Sequence, residues 1–232
     1  MKVESRDCKM EKLNSQPLMK VLVFYLTYFL YTYVAGMVVS GLAISNSALV
    51  MFPADFLFLL FAIYMYKENL RRDFRTLKKK KKGKVVGAVL LGVLVVFIGN
   101  IVMGAMTDIL FPNAPLDNNT QALQSMLATA PLYVIFKTLI FATVAEEILF
   151  RESIFDCVKN PVFFVLVSAI VYTAMNFIFS GTGISVLNVL IYFVPALLLS
   201  AIYIKNDSNI IIIMFIKFVL QFIPFIALLA TR

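Results

Sequence analysis

The chain is 232 residues long, 61% hydrophobic and 15% charged, with a formal net charge of +8 and no histidine. That composition cannot be wrapped in a water-facing surface, which excludes an ordinary soluble enzyme or nucleic-acid-binding domain and makes the bilayer the expected solvent. With roughly 20 residues needed per span, the length suits one compact membrane domain and leaves no room for a soluble one.

In chain order, residues 1–16 read as a cytoplasmic tail carrying Lys2, Arg6, Lys9 and Lys12, followed by a single transmembrane domain over 17–232. The first apolar stretch, 17–43, is too long for a secretory signal and has no small-residue cleavage site, so it is expected to be a retained span. The second covers 47–66. Between Lys67 and Lys84 stand ten Lys or Arg against Glu68 and Asp73, so this stretch accounts for the whole net charge. A basic run wedged between two spans reads as a solvated cytoplasmic loop, 67–84, held by the positive-inside bias and by anionic lipid head groups rather than by nucleic acid.

Five more apolar stretches follow, at 85–110, 131–151, 161–180, 184–204 and 209–230. The expected fold is an all-α polytopic bundle of about seven spans. Arg151, Lys159 and Lys205 fall on the side of the basic run. The alternate loops, near Ser45, over 111–130 and around Gly181 and Gly183, carry no Lys or Arg. The expected orientation is N-terminus inside and C-terminus outside. The triplet Asn118-Asn119-Thr120 matches a glycosylation acceptor but carries no weight here. The two cysteines, Cys8 and Cys157, cannot build a disulfide framework and read as free thiols on the cytoplasmic side. The aromatic and Met residues read as packing and interfacial anchors.

The informative residues are those a bilayer excludes. Charged groups inside a span cost roughly 2.5–3.5 kcal/mol each on insertion scales and persist when paired or when they line a cavity. Here they are Asp55, Lys137, Glu146, Glu147, Arg151 and Lys217, with Asp108 near a span end. Glu147 and Arg151, four apart, share one helix face at ion-pairing distance, whereas Glu146 points about 100° away and faces another neighbour. One carboxylate can thus be held ionised while the other trades a proton with water or substrate, as a general base does. The opposing reading is a buried charge network that sets helix packing, and the pair alone does not choose between them. Asp55 follows Pro53, whose missing N–H frees a carbonyl toward a polar cavity, and has Lys137 or Lys217 as candidate partners. Lys137 itself is expected to snorkel toward the outer end of its span.

The run Ala145-Glu146-Glu147-Ile148-Leu149-Phe150-Arg151-Glu152 resembles the first motif of the CAAX-protease and bacteriocin-processing (CPBP, or Abi) family, two adjacent Glu with Arg four residues after the second. The resemblance extends over about 85–230. The family's second motif, Phe, three residues, then His, finds Tyr172 and Asn176 in its place. Its third, His followed four residues later by Asn or Asp, finds Lys217 and Gln221 after the polar turn Asp207-Ser208-Asn209. The resemblance implies a cavity with Glu146, Glu147, Arg151 and Asn176 as candidate catalytic residues and Tyr172, Lys217, Gln221 and Asp55 as candidate binding residues.

The departures limit what that likeness implies. Without histidine no zinc site is expected, and no cofactor is assigned, because Asn176 is a poor metal ligand and an ammonium at Lys217 repels a divalent cation. The preferred reading is a degenerate member, a pseudoprotease, that binds a membrane protein or a lipidated or leader peptide and serves a regulatory or bacteriocin-immunity role in a bacterial plasma membrane. The alternative is an active glutamate-dependent intramembrane endopeptidase cutting a CAAX-like or leader peptide. A small ion-coupled transporter ranks last, since inverted halves and paired broken helices are missing.

Overall fold

The computed structural model describes residues 15–110, 125–180 and 186–230. Cys8 and the four cations of the N-terminal tail, Asn118-Asn119-Thr120, and Gly181 and Gly183 lie outside them. The first helix, α1 (Ser15–Gly41), begins just inside the expected tail, and α2 (Ala48–Met65), α3 (Lys67–Lys79) and α4 (Lys82–Leu110) follow. Next comes one unbroken rod built of α5 (Pro131–Ile135), a π-helical turn π1 (Phe136–Phe141), α6 (Ala142–Glu147), a second π turn π2 (Ile148–Glu152) and α7 (Ser153–Cys157). The chain continues through α8 (Pro161–Ser180), α9 (Val186–Lys205) and α10 (Ile210–Ala230). All regular structure among the described residues is helical.

Among the described residues, four segments are long and apolar enough to cross a bilayer: Pro17–Gly41, Ala48–Met65, Lys82–Leu110 and Pro161–Ile178. Val189–Lys205 and Ile210–Ile223 are shorter apolar helices. The protein is therefore an all-α, multi-pass membrane bundle. Leu22, Leu26 and Leu30 on α1 and Leu90, Leu94 and Ile101 on α4 are exposed, as lipid-facing side chains must be where the solvent is itself apolar.

The basic stretch is not a loop. Lys, Arg, Glu and Leu are good helix formers, no Gly or Pro interrupts them before Gly83, and Asn69, Leu70, Asp73 and Leu77 fall on one face. That face docks α3 under the bundle and buries Asp73. The Asp73 carboxylate accepts the Ile210 N–H at 2.9 Å, and its carbonyl accepts the Asn209 side-chain amide at 2.9 Å, so α3 caps the start of α10. The turn ahead of α10 places Asp207 and Ser208 at φ 61° and 51°, in the left-handed region.

Aromatic rings tie α1 and α2 to the rod: Phe58 stacks on Tyr31 at 4.7 Å and on Phe24 at 5.4 Å and meets Phe141 at 6.2 Å. On the other side α9 packs against α8 and α4, and α4 packs against α10. A Cβ on Gly92 would collide with Ile216, so a glycine there lets α4 approach the helix that carries Lys217.

Candidate functional site

The rod positions its charged side chains through its two π turns. In π2 the Ser153 N–H bonds back to the Ile148 carbonyl, five residues away instead of four, and in π1 the Ala142 N–H reaches Lys137 in the same way. A π turn shifts the following side chains around the axis and leaves carbonyls needing other donors. Those donors come from neighbours. Tyr25 of α1 donates to the Leu149 carbonyl at 2.8 Å, Ser168 of α8 donates to the Phe150 carbonyl at 2.6 Å, and Ser153 also bonds Leu149. Ser168 in turn meets Ser200 of α9 at 2.8 Å. Small polar residues inside otherwise apolar helices were the only sequence signal for this wider turn.

Between the π turns, α6 carries Glu146 and Glu147. Lys217 of α10 reaches both, with its Nζ 3.0 Å from Glu146 Oε2 and 2.8 Å from Glu147 Oε1. Arg151 Nη1 reaches the same Glu147 Oε1 at 3.0 Å. Glu147 and Arg151 are fully buried, Lys217 nearly so, and Glu146 keeps 20% of its side chain exposed. Two carboxylates and two cations sum to zero charge, which is how four ionised groups persist in a low-dielectric bundle. Tyr172 of α8 lies over both cations, its ring centre 5.1 Å from the Arg151 guanidinium carbon and 5.6 Å from the Lys217 nitrogen. Its edge-on contact with Phe150 holds it there.

The other candidates are placed apart from this cluster. Asn176, one turn beyond Tyr172, donates its amide to the Tyr172 carbonyl at 2.9 Å and makes no hydrogen bond to either carboxylate. Gln221, one turn beyond Lys217, is half-buried, and no hydrogen bond joins it to the cluster among the described residues. Asp55 is fully buried and pairs with Lys137, not with Lys217. Lys137 donates to Oδ2 at 2.9 Å, Tyr133 to the same oxygen at 2.8 Å, and Tyr31 to Oδ1 at 3.0 Å. Lys137 therefore turns inward, contrary to the expected snorkelling, because a buried carboxylate one helix away offers more than the interface does.

A third polar centre, absent from the sequence reading, sits at the foot of the rod. Glu152, buried next to Arg151, accepts from Asn69 at 2.6 Å, Arg72 at 3.2 Å and Tyr203 at 2.7 Å. Arg72 also holds Asp73 at 2.9 Å. Glu152 looked like a residue beyond the span end, and nothing local announces that α3 folds back over it.

Chemically, the cluster does not fit a metal. The chain has no histidine, and an ammonium occupies the space between the two carboxylates. No group of three His, Cys, Asp or Glu capable of holding a metal occurs among the described residues. The buried atoms Glu147 Oε2, Arg151 Nε and Nη2, and Thr143 Oγ1 have no partner among the described residues. These are the site's uncommitted polar valences, beside the exposed part of Glu146.

Comparison with known proteins places the same region. The family described as Type II CAAX prenyl endopeptidase Rce1-like matches residues 128–223, less than half of the chain, from just before α5 to just past Gln221 in α10. No curated protein and no solved structure matches. The segment that gathers Glu146, Glu147, Arg151, Tyr172 and Lys217 is thus a CAAX-protease-like domain within a multi-pass membrane protein.

Proposed function

We propose that this CAAX-protease-like bundle has lost peptide hydrolysis, wholly or in large part, and works by binding: it holds a membrane protein, or a lipidated or leader peptide, in a regulatory or bacteriocin-immunity role. One observation carries the reading. At the position where the resembled motif has a histidine, Lys217 bonds both candidate carboxylates at 3.0 and 2.8 Å. A general base needs a carboxylate lone pair turned to water, and a histidine partner can take or give a proton. The ammonium takes one oxygen of each carboxylate, Glu146 Oε2 and Glu147 Oε1, and has no lone pair of its own to offer.

Apolar run lengths support seven spans, the loop charges support an inside N-terminus, an outside C-terminus and α3 on the cytoplasmic face, and the family resemblance favours a bacterial plasma membrane. Anionic head groups around 67–84 then balance its charge. The rival reading, an active glutamate-dependent endopeptidase, draws on Glu147 Oε2 and Arg151 Nε and Nη2, which are left free for substrate.

One experiment separates the two. New protein N-termini are compared by mass spectrometry in native cells, deletion cells, and deletion cells restored with wild-type protein or with the Glu146→Gln/Glu147→Gln variant. We expect an unchanged profile throughout. Specific cleavage products that vanish on deletion and return only with the wild type would establish the protease instead.

A further inference from the structure

The strongest unexplained surface is the outer face of α3. This helix is 13 residues long, about 20 Å. It is joined to α2 by Tyr66 alone and to α4 by Lys80 and Lys81. Both neighbours are long enough to cross a bilayer, so a helix tethered this closely between them lies at the level of the lipid head groups. Its inner face is committed through Asn69, Asp73 and Arg72. Its outer face presents Lys67, Arg71, Arg75, Lys78 and Lys79 with Glu68 as the one acid, and beside them Phe74 is exposed, with the Lys78 ammonium 4.7 Å from its ring centre.

Along this face runs a hollow of about 430 Å³ lined by Glu68, Arg71, Arg72, Arg75, Thr76 and Lys79. Arg71, Arg75 and Lys79 stand at i, i+4 and i+8, one above another, and none has a carboxylate partner among the described residues. The Thr76 hydroxyl donates to the Arg72 carbonyl at 2.9 Å, so two guanidinium forks and an ammonium converge on a hollow at head-group depth, which suits one chemistry. That is a phosphodiester, whose oxygens accept paired N–H donors from Arg.

We propose that α3 carries a discrete site for the phosphate of an anionic phospholipid, formed by Arg71, Arg75 and Lys79, with Thr76 beside it and Phe74 dipping toward the acyl boundary. The proposal deepens, and rests on, the reading that this stretch faces anionic lipid; it replaces a diffuse counter-charge with a site. Beyond Lys79, the lysine run is not the binding element. Lys81, Lys82 and Lys84 are exposed outside the hollow and contribute only long-range attraction.

The test is native mass spectrometry of the detergent-solubilised full chain titrated with phosphatidylglycerol, with phosphatidylcholine for comparison. Wild type is set beside Arg71→Gln/Arg75→Gln/Lys79→Gln and beside Lys81→Gln/Lys82→Gln/Lys84→Gln, which removes the same charge. Diffuse attraction weights each cation alike. A discrete site predicts that the first phosphatidylglycerol binds the α3 variant at least about tenfold more weakly than it binds the lysine variant, with phosphatidylcholine unaffected. Equal losses in the two variants would overturn the site and leave the diffuse reading standing. Equal binding of the two lipids by the wild type would overturn both.

Discussion

At position 217 an ammonium stands between two carboxylates, and the cluster is neutral only because Lys217 and Arg151 are both present. Removing Lys217 leaves Glu147 with Arg151 alone and Glu146 without its cation, and breaking a buried pair typically costs about 3–5 kcal/mol. Lys217→Ala is therefore expected to lower the thermal midpoint in detergent clearly. Adding Glu146→Gln, which restores neutrality while Glu147 keeps Arg151, should recover much of the loss. A double variant no more stable than the single would show that Lys217 acts through packing rather than charge. Asp55 and Lys137 obey the same rule separately, with Tyr31 and Tyr133 completing the set of donors to a carboxylate that would otherwise be buried with one.

Helix α3 is a brace as much as a surface. Through Asp73 it satisfies the first amide of α10, the helix that carries Lys217. Through Asn69 and Arg72 it satisfies Glu152, one residue past Arg151. Both elements of the charged site are thus held from below by one helix. Loss of a capping carboxylate costs about 0.5–2 kcal/mol. Asp73→Ala should destabilise the protein by that order and speed hydrogen exchange at the Ile210 amide, whereas Asp73→Asn, which keeps an acceptor oxygen, should lose less. Unchanged exchange at Ile210 in Asp73→Ala would remove the brace from the account. The two π turns belong to this scale too: they shape the segment on either side of the Glu pair, and Tyr25, Ser153 and Ser168 are the donors that make the second, π2, tolerable in an apolar environment.

For the molecule as a whole, orientation is the property most in need of measurement, and Cys157 offers a handle. It is exposed at the end of α7, the last residue of the rod, and in a Cys8→Ser background it is the only thiol. Partial burial, helped by the Asp156 charge and opposed by Lys159, pushes its pKa above the ordinary thiol value. The thiolate fraction at neutral pH is accordingly small, and labelling should accelerate as pH rises through and beyond the usual thiol range. With a membrane-impermeant maleimide, inverted vesicles are expected to label and right-side-out vesicles are not. The reverse pattern would invert the topology, and α3 with it.

Composition alone required the bilayer, because so large an apolar fraction has no arrangement in water. The 3.6-residue geometry alone predicted the Glu147–Arg151 pair, since four residues on one helix bring two side chains together whatever surrounds them. Apolar run lengths likewise located the apolar helices to within a few residues of their ends, except that the rod runs on past the expected end at 151 to Cys157. What required tertiary structure was every contact made across the bundle. Lys217 chooses Glu146 and Glu147, Asp55 chooses Lys137, Asn176 turns to its own helix, and the basic run folds as α3 over Glu152. The physical reason is that a buried charge takes the partner that chain packing brings within about 3 Å, and in a low-dielectric interior that choice is nearly absolute. Helical periodicity tells which face a side chain occupies; only the assembled bundle decides what that face meets.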